Sequence, residues 1–296
     1  MGYNDWYFGS AVSNYKRQVS VSSFGFQVRF WGVRGSMPTP TMQNMGVGGN
    51  TSCLEVRLPG GEILIFDAGT GVSQLGSALT RESASAGLNL HLFLTHFHWD
   101  HIQGLPFFRP LYSKDNHITF YAMRRPEETR VILERQMEAP YFPLDFRSLP
   151  GRFDFVDVRG RNFRFGEAEI SSFPLNHPQG CHGYCLTGGG RKLVLATDFE
   201  PDNLELDAQL VEVAYGADLL IHDSQFTPEE LKLRRGWGHN TWFHATQTAR
   251  ATGAKKLFLF HHNPFASDQD LARSLILARE HFSETYLAIE GDSCRM

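Results

Sequence analysis

The chain has only four cysteines in 296 residues, Cys53, Cys181, Cys185 and Cys294. They show none of the paired spacing of a zinc ribbon and are too few for a disulfide scaffold, which suits a reducing cytoplasm. An excess of positive charge is also missing: 28 Lys and Arg face 32 Asp and Glu, for a formal charge of -4. Nucleic acids and anionic membranes attract basic surfaces, so no general pull toward either is expected. A phosphate-bearing substrate would have to be drawn locally, by a metal or a small group of cations. Long apolar runs are absent as well. No stretch approaches the roughly 20 apolar residues that span a bilayer, and polar residues interrupt the first 24 positions too often for a secretory signal. No membrane contact and a cytoplasmic location are therefore expected. With no Ser/Gly/Pro-rich linker and no internal repeat, residues 25–296 are expected to form a single domain, preceded by an N-terminal extension over residues 1–24.

Short β-rich runs and helical patterns alternate along the chain. The runs at 27–33, 53–58, 62–69 and 90–96 predict strands in the first half. Those at 167–175, 183–188, 192–198, 217–223 and 255–262 predict strands in the second. Helices are predicted over 126–138, with Pro126 at its start, over 243–253, ended by Gly253, and over 267–281. His96, Asp198, Asp223 and His261 stand at or just beyond the C-terminal ends of apolar runs. That edge of a sheet is where α/β architectures gather functional loops, so these residues imply one shared site.

The densest signal is "THFHWDH", residues 95–101. His96 and His98 are two apart and point to the same side of an extended segment, while Asp100 and His101 follow where the chain must turn. Two divalent metals a few Å apart need such a set, because each takes several nitrogen or oxygen ligands and keeps a position open.

This HxHxDH pattern resembles that of the metallo-β-lactamase-fold hydrolases, and the remaining pieces occur in the family's order. The resemblance covers roughly residues 27–290 and implies an α/β fold, an αββα sandwich of two mixed sheets flanked by helices. It implies that Asp67, in "FDAGTG", supports the metal loop from behind. His96, His98 and His177 would hold one metal, Asp100, His101 and His261 the other, and Asp198 and a hydroxide would bridge the two. Zinc is the first expectation for the two divalent ions, and manganese or iron would suit the same ligands. Alternation along "LFLF" favours His261 over its neighbour His262. The cysteines near His182, the "GGNTSC" turn and the scattered histidines 91, 117, 222, 244 and 281 are expected to be structural.

The C-terminal third, with "IHDSQ" and "GHNT", is similar to the tRNase Z and phosphodiesterase branch. By that resemblance Asp223 hydrogen-bonds His239, and His239 protonates the leaving oxygen of a phosphodiester, making Asp100, Asp223 and His239 the candidate catalytic residues. A poor alkoxide leaving group needs such an acid, which typically adds ~100 to 10,000-fold. Only 20 residues separate His177 from Asp198, where tRNA 3′-end nucleases commonly carry a tRNA-gripping arm. A small phosphodiester such as a cyclic nucleotide is therefore expected as substrate ahead of RNA. Aromatic and arginine residues in "QGLPFFRPLYS" and in 124–153 would form a lid, and a homodimer is the expected assembly. The rivals are a tRNA 3′-end endonuclease, a thioester or lactam hydrolase, and a nucleotide sensor without turnover.

Overall fold

The structure, a computed structural model, describes residues 25–83 and 86–296. The segment 1–24, expected as an extension, lies outside the described residues. The first sheet comprises β1 (Gln27–Gly32), β2 (Cys53–Arg57), β3 (Ile63–Phe66), β4 (Asn89–Phe93), β5 (His117–Ala122), β6 (Arg152–Asp157) and β14 (Ser293–Arg295). Its order is β14-β1-β2-β3-β4-β5-β6. The second comprises β7 (Asn162–Phe165), β8 (Ala168–Leu175), β9 (Cys181–Gly188), β10 (Arg191–Ala196), β11 (Leu219–Asp223), β12 (Leu257–Phe260) and β13 (Thr285–Leu287), in the mirrored order β13-β12-β11-β10-β9-β8-β7. Both sheets are mixed. The run β3-β4-β5-β6 is parallel in the first, and β10-β11-β12-β13 is parallel in the second.

Strand alternation produces the layers. Leu64 and Phe66 of β3 face the core between the sheets, while Ile65 faces outward. In β11, Leu219 and Ile221 likewise face inward and Leu220 outward. Both faces of these strands are apolar, so helices must cover the outer ones. On the first sheet lie α1 (Val72–Glu82) and α3 (Pro126–Gln136), while α2 (Trp99–Ile102) is a single turn within the histidine motif. The second sheet is covered by α4 (Leu204–Ala214), α6 (Trp242–Thr252) and α7 (Asp268–His281), with α5 (Pro228–Leu233) at the strand-end edge. The result is the αββα sandwich the resemblance implied. Among the described residues no helix is long and apolar enough to cross a membrane.

Helix caps follow the sequence. Thr241 accepts from the His244 amide at the start of α6, and Gly253 closes that helix with φ 65°. Sequence patterning passes over α1, whose interior holds Gly76, normally unfavourable in a helix. The structure explains the glycine: a Cβ there would press into Phe108 and Pro110. The 124–153 stretch, expected as a lid, is largely framework. Leu133, Met137 and Phe146 are buried in the outer core, and Gln136 Nε2 donates to the Ile102 carbonyl at 2.7 Å. Tyr141 and Leu144 remain exposed.

One buried cation ties the end of β1 to the chain leaving β12. Arg34 is 0% exposed and donates to the carbonyls of Gly48 (2.7 Å), Asn263 (3.0 Å) and Ala266 (2.8 Å). Replacing it by methionine keeps the bulk but strands three carbonyls, each unmade bond costing about 1–3 kcal/mol. Arg34→Met is expected to lose about 3 kcal/mol or more of unfolding free energy, read from urea midpoints. An unchanged midpoint would show that the guanidinium does not hold this junction.

Candidate metal centre

Six strands deliver the site from one edge, among them β8, which His177 follows. Asp67 follows β3, His96 follows β4, Asp198 follows β10, Asp223 ends β11 and His261 follows β12. Asp67 (φ 63°), Asp198 (φ 59°) and His261 (φ 57°) all adopt left-handed backbone. Non-glycine residues seldom do so, and such corners gather where a side chain must be aimed against local preference. Here the corner turns each side chain back across the strand ends.

Two groups of side chains converge. In the first, potential ligand atoms of His96, His98 and His177 lie within 4.8 Å of one another. His177 Nε2 is 3.1 Å from His98 Nδ1. In the second, Asp100, His101, Asp198 and His261 meet the same limit. His101 Nε2 stands 3.3 Å from Asp100 and 3.3 Å from Asp198, while His261 Nε2 stands 3.1 Å and 3.2 Å from those carboxylates. Asp198 reaches both groups, because its Oδ1 lies 3.9 Å from His96 Nε2.

The far side of each ring shows how the near side is prepared. His177 Nδ1 donates to the Gly238 carbonyl at 2.8 Å, and His101 Nδ1 donates to Asp67 Oδ2 at 2.7 Å. His96 Nδ1 meets Thr95 Oγ1 at 3.1 Å, and His98 Nε2 meets Gln179 Oε1 at 3.3 Å. A ring nitrogen facing a carbonyl or carboxylate oxygen carries the proton, which leaves the opposite nitrogen bare for a cation. Asp67 is held in turn by the Ser52 hydroxyl (3.0 Å), the Thr95 amide (2.8 Å) and the Thr95 hydroxyl (3.0 Å). His96 Nε2 is buried, faces the cluster and has no hydrogen-bond partner. An orphaned imidazole nitrogen beside converging carboxylates fits a metal of the nitrogen- and oxygen-binding kind.

The electrostatics agree. Burial drives His96 well below the usual imidazole range, assisted by His101, and it brings His177 down to about 4. Burial opposes a charge on His101 too, yet Asp198, Asp100 and Asp67 together hold it well above its ordinary value. Asp198 is pushed up by burial but more strongly pulled down by His101 and His261, so it stays ionised. Carboxylates that force a buried histidine to carry a proton would accept a divalent cation in its place.

Beside this centre, His239 Nδ1 donates to Asp223 Oδ2 at 3.1 Å. Asp223 is fully engaged: Oδ1 accepts the amides of Gln225 and Asn240, both at 3.0 Å, and Oδ2 the Asp198 amide at 3.1 Å. All seven proposed ligands and the Asp223–His239 pair are thus brought together. His262 is turned away, its Nε2 donating to the Ala288 carbonyl at 2.9 Å. His182 faces Ser172 at 3.1 Å, outside the cluster.

Other contributors carry no sequence signal. Ser36, with φ 64°, gives its amide to Asp100 Oδ2 at 2.7 Å. A Cβ on Gly35 would collide with the His261 ring, and one on Gly238 with the His177 ring. These glycines are required for close approach, but only the folded geometry reveals what they approach.

An αββα sandwich with histidine and aspartate clusters at its strand ends defines a metal-dependent hydrolase, and the clusters form a divalent-metal site. The model of the beta-lactamase superfamily domain matches residues 63–262, more than half of the chain, and the chain belongs to that superfamily. A ribonuclease Z from Prochlorococcus marinus (strain MIT 9515) is 25% identical over 317 aligned positions, covering 88% of this chain and 96% of the relative. Among solved structures, the metallo-beta-lactamase fold protein YhfI from Bacillus subtilis superposes with a TM-score of 0.70 at 19% identity, covering 92% of this chain and 100% of that one. A diphosphatase from the PhnP family gives a TM-score of 0.66 at 18% identity, covering 92% and 98%. The two structural likenesses agree with the observed fold.

Because Asp198 reaches both groups, Asp198→Ala is expected to carry less metal per chain than the parent when both are metal-loaded and desalted. Elemental mass spectrometry reads this directly. Parental stoichiometry would remove Asp198 from the ligand set.

Proposed function

We propose that this metal-dependent hydrolase cleaves phosphodiesters, using two divalent ions, zinc first among them. His96, His98 and His177 would hold one ion, Asp100, His101 and His261 the other, with Asp198 between them. Bound there, such ions neutralise phosphoryl oxygens and make a nucleophile of water near neutral pH. The chain supplies the rest. Asp67, Thr95, Gln179 and the Gly238 carbonyl hold the rings in the orientation that leaves the inward nitrogens bare. His239, oriented by Asp223, gives a proton to the departing oxygen.

The single observation carrying this proposal is the 3.1 Å contact between His239 and Asp223 beside the cluster. A carboxylate already engaged by three backbone amides serves well to fix an imidazole, and an imidazole poised at the metal edge suits a poor alkoxide leaving group. A thiolate leaves unaided, so thioester cleavage needs this acid less. The convergence of all seven ligand-type side chains also argues against a sensor that has lost turnover.

For the substrate, a small phosphodiester such as a cyclic nucleotide is favoured by the chain between His177 and Asp198. That stretch is filled by the hairpin of β9 and β10, with no room for a long gripping arm. RNA is the second reading, favoured by the likeness to a ribonuclease Z along 88% of this chain. A homodimer and a cytoplasmic setting remain part of the proposal.

The metal-loaded protein is expected to hydrolyse bis-p-nitrophenyl phosphate. On a diester with an alkoxide leaving group, such as a cyclic nucleotide, His239→Ala should lose about 100-fold or more of turnover while retaining its metal. Parental turnover in that variant would refute His239 as the acid. Assayed side by side, 2′,3′- and 3′,5′-cyclic nucleotides are expected to be cleaved in preference to a precursor tRNA. Processing of the tRNA with no cyclic-nucleotide turnover would replace the first reading by the second.

A further inference from the structure

The loop Gly236-Trp237-Gly238, immediately before His239, combines an exposed aromatic ring with a backbone that is firmly held. Trp237 is 61% exposed, and the glycines on either side have φ of 85° and 82°. Such a loop would be free to move, yet a single carboxylate fastens it. Glu200 Oε2 accepts the Gly236 amide at 2.7 Å and the Gly238 amide at 3.2 Å. Glu200 is itself fixed to the His177 segment, its amide donating to the Asn176 carbonyl at 2.8 Å and its carbonyl accepting from Asn176 Nδ2 at 2.9 Å. The Gly238 carbonyl then accepts from His177. One residue therefore sets the loop, a proposed metal ligand and the approach to His239 in a common register.

A shared neighbour links the ring to the acid. Phe226 is edge-on to Trp237 at 6.5 Å and edge-on to His239 at 5.7 Å. The Arg234 guanidinium lies over both Phe226 (5.3 Å) and Trp237 (6.0 Å). Lone surface aromatics are ordinary, but immobilising one beside a proton donor serves recognition. His239 protonates the leaving oxygen, so the group lying on its side of the phosphorus is the leaving group.

We infer that Trp237, presented by Glu200, is the stacking platform for an aromatic ring on the leaving-oxygen side of the phosphorus, in a natural substrate the base of the nucleoside whose ribose oxygen leaves. This rests on the phosphodiesterase reading. Base-on-aromatic stacking is worth ~1–3 kcal/mol per base, or about 5- to 150-fold in affinity. Glu200 is a positioning residue, acting through the loop.

The metal-loaded protein is tested with bis-p-nitrophenyl phosphate as substrate and adenosine as a competitor that presents the base and ribose of that nucleoside. Trp237→Ala is expected to raise KM and the adenosine inhibition constant together, each by about tenfold, with the loss appearing in KM rather than kcat. Trp237→Phe should restore most of both, since a ring remains. Glu200→Ala should raise KM and also lower kcat, because the amides of the loop and the hold on His177 loosen together. Parental KM and adenosine inhibition in Trp237→Ala, with the diester still hydrolysed, would overturn the platform alone. Failure of the parent to hydrolyse the diester at all would instead overturn the phosphodiesterase reading.

Discussion

Four carboxylates, those of Asp67, Asp100, Asp198 and Asp223, are buried together where the two sheets meet, and the organisation of this edge follows from how each is neutralised. Burying a carboxylate without partners is prohibitively costly. Asp67 and Asp223 are each satisfied by protein donors and turned to holding an imidazole, His101 and His239 respectively. Asp100 and Asp198 face His101 and His261. Their charge is balanced in the protein alone only by protonating histidines that burial would otherwise keep neutral. A cation between them relieves both conflicts. The same constraint separates two roles for one side-chain type: carboxylates that orient an imidazole, and carboxylates left open to a cation.

The fold meets this requirement by topology. Two parallel runs of strands, one in each sheet, end on the same edge, so residues far apart in sequence emerge side by side. The left-handed corners at Asp67, Asp198 and His261 then turn the chain sharply enough for their side chains to reach the seam. Loops at the same edge fasten the arrangement. Arg34 locks the segment leading to Ser36, whose amide supports Asp100. Glu200 locks the segments bearing His177 and His239.

Much of this edge is legible in the sequence because its members announce themselves in two ways. Polar residues at the ends of apolar β runs stand out at His96, Asp198, Asp223 and His261, and the alternation of "LFLF" favours His261, the histidine that faces the cluster, over His262. The helix over 72–82 is obscured by Gly76, which the packing of Phe108 and Pro110 demands. Within 124–153 the helix is legible from Pro126 onward, but its buried face is narrow, Thr129 and Leu133, and so its role as framework rather than lid is not. Gly35, Ser36, Gln179, Glu200 and Gly238 escape any reading of spacing. Their work is done by a backbone amide, a carbonyl, a missing Cβ or a contact across dozens of residues. Turn geometry creates these roles, and turn geometry is not written in residue type.

The central claim is that the cluster binds two ions, with Asp198 between them. Anomalous diffraction from crystals of the zinc-loaded protein addresses it most directly. The account predicts two peaks roughly 3.5–4 Å apart, one within bonding distance of His96, His98 and His177, the other of Asp100, His101 and His261, with Asp198 touching both. A single peak, or two peaks that leave Asp198 uncoordinated, would contradict it.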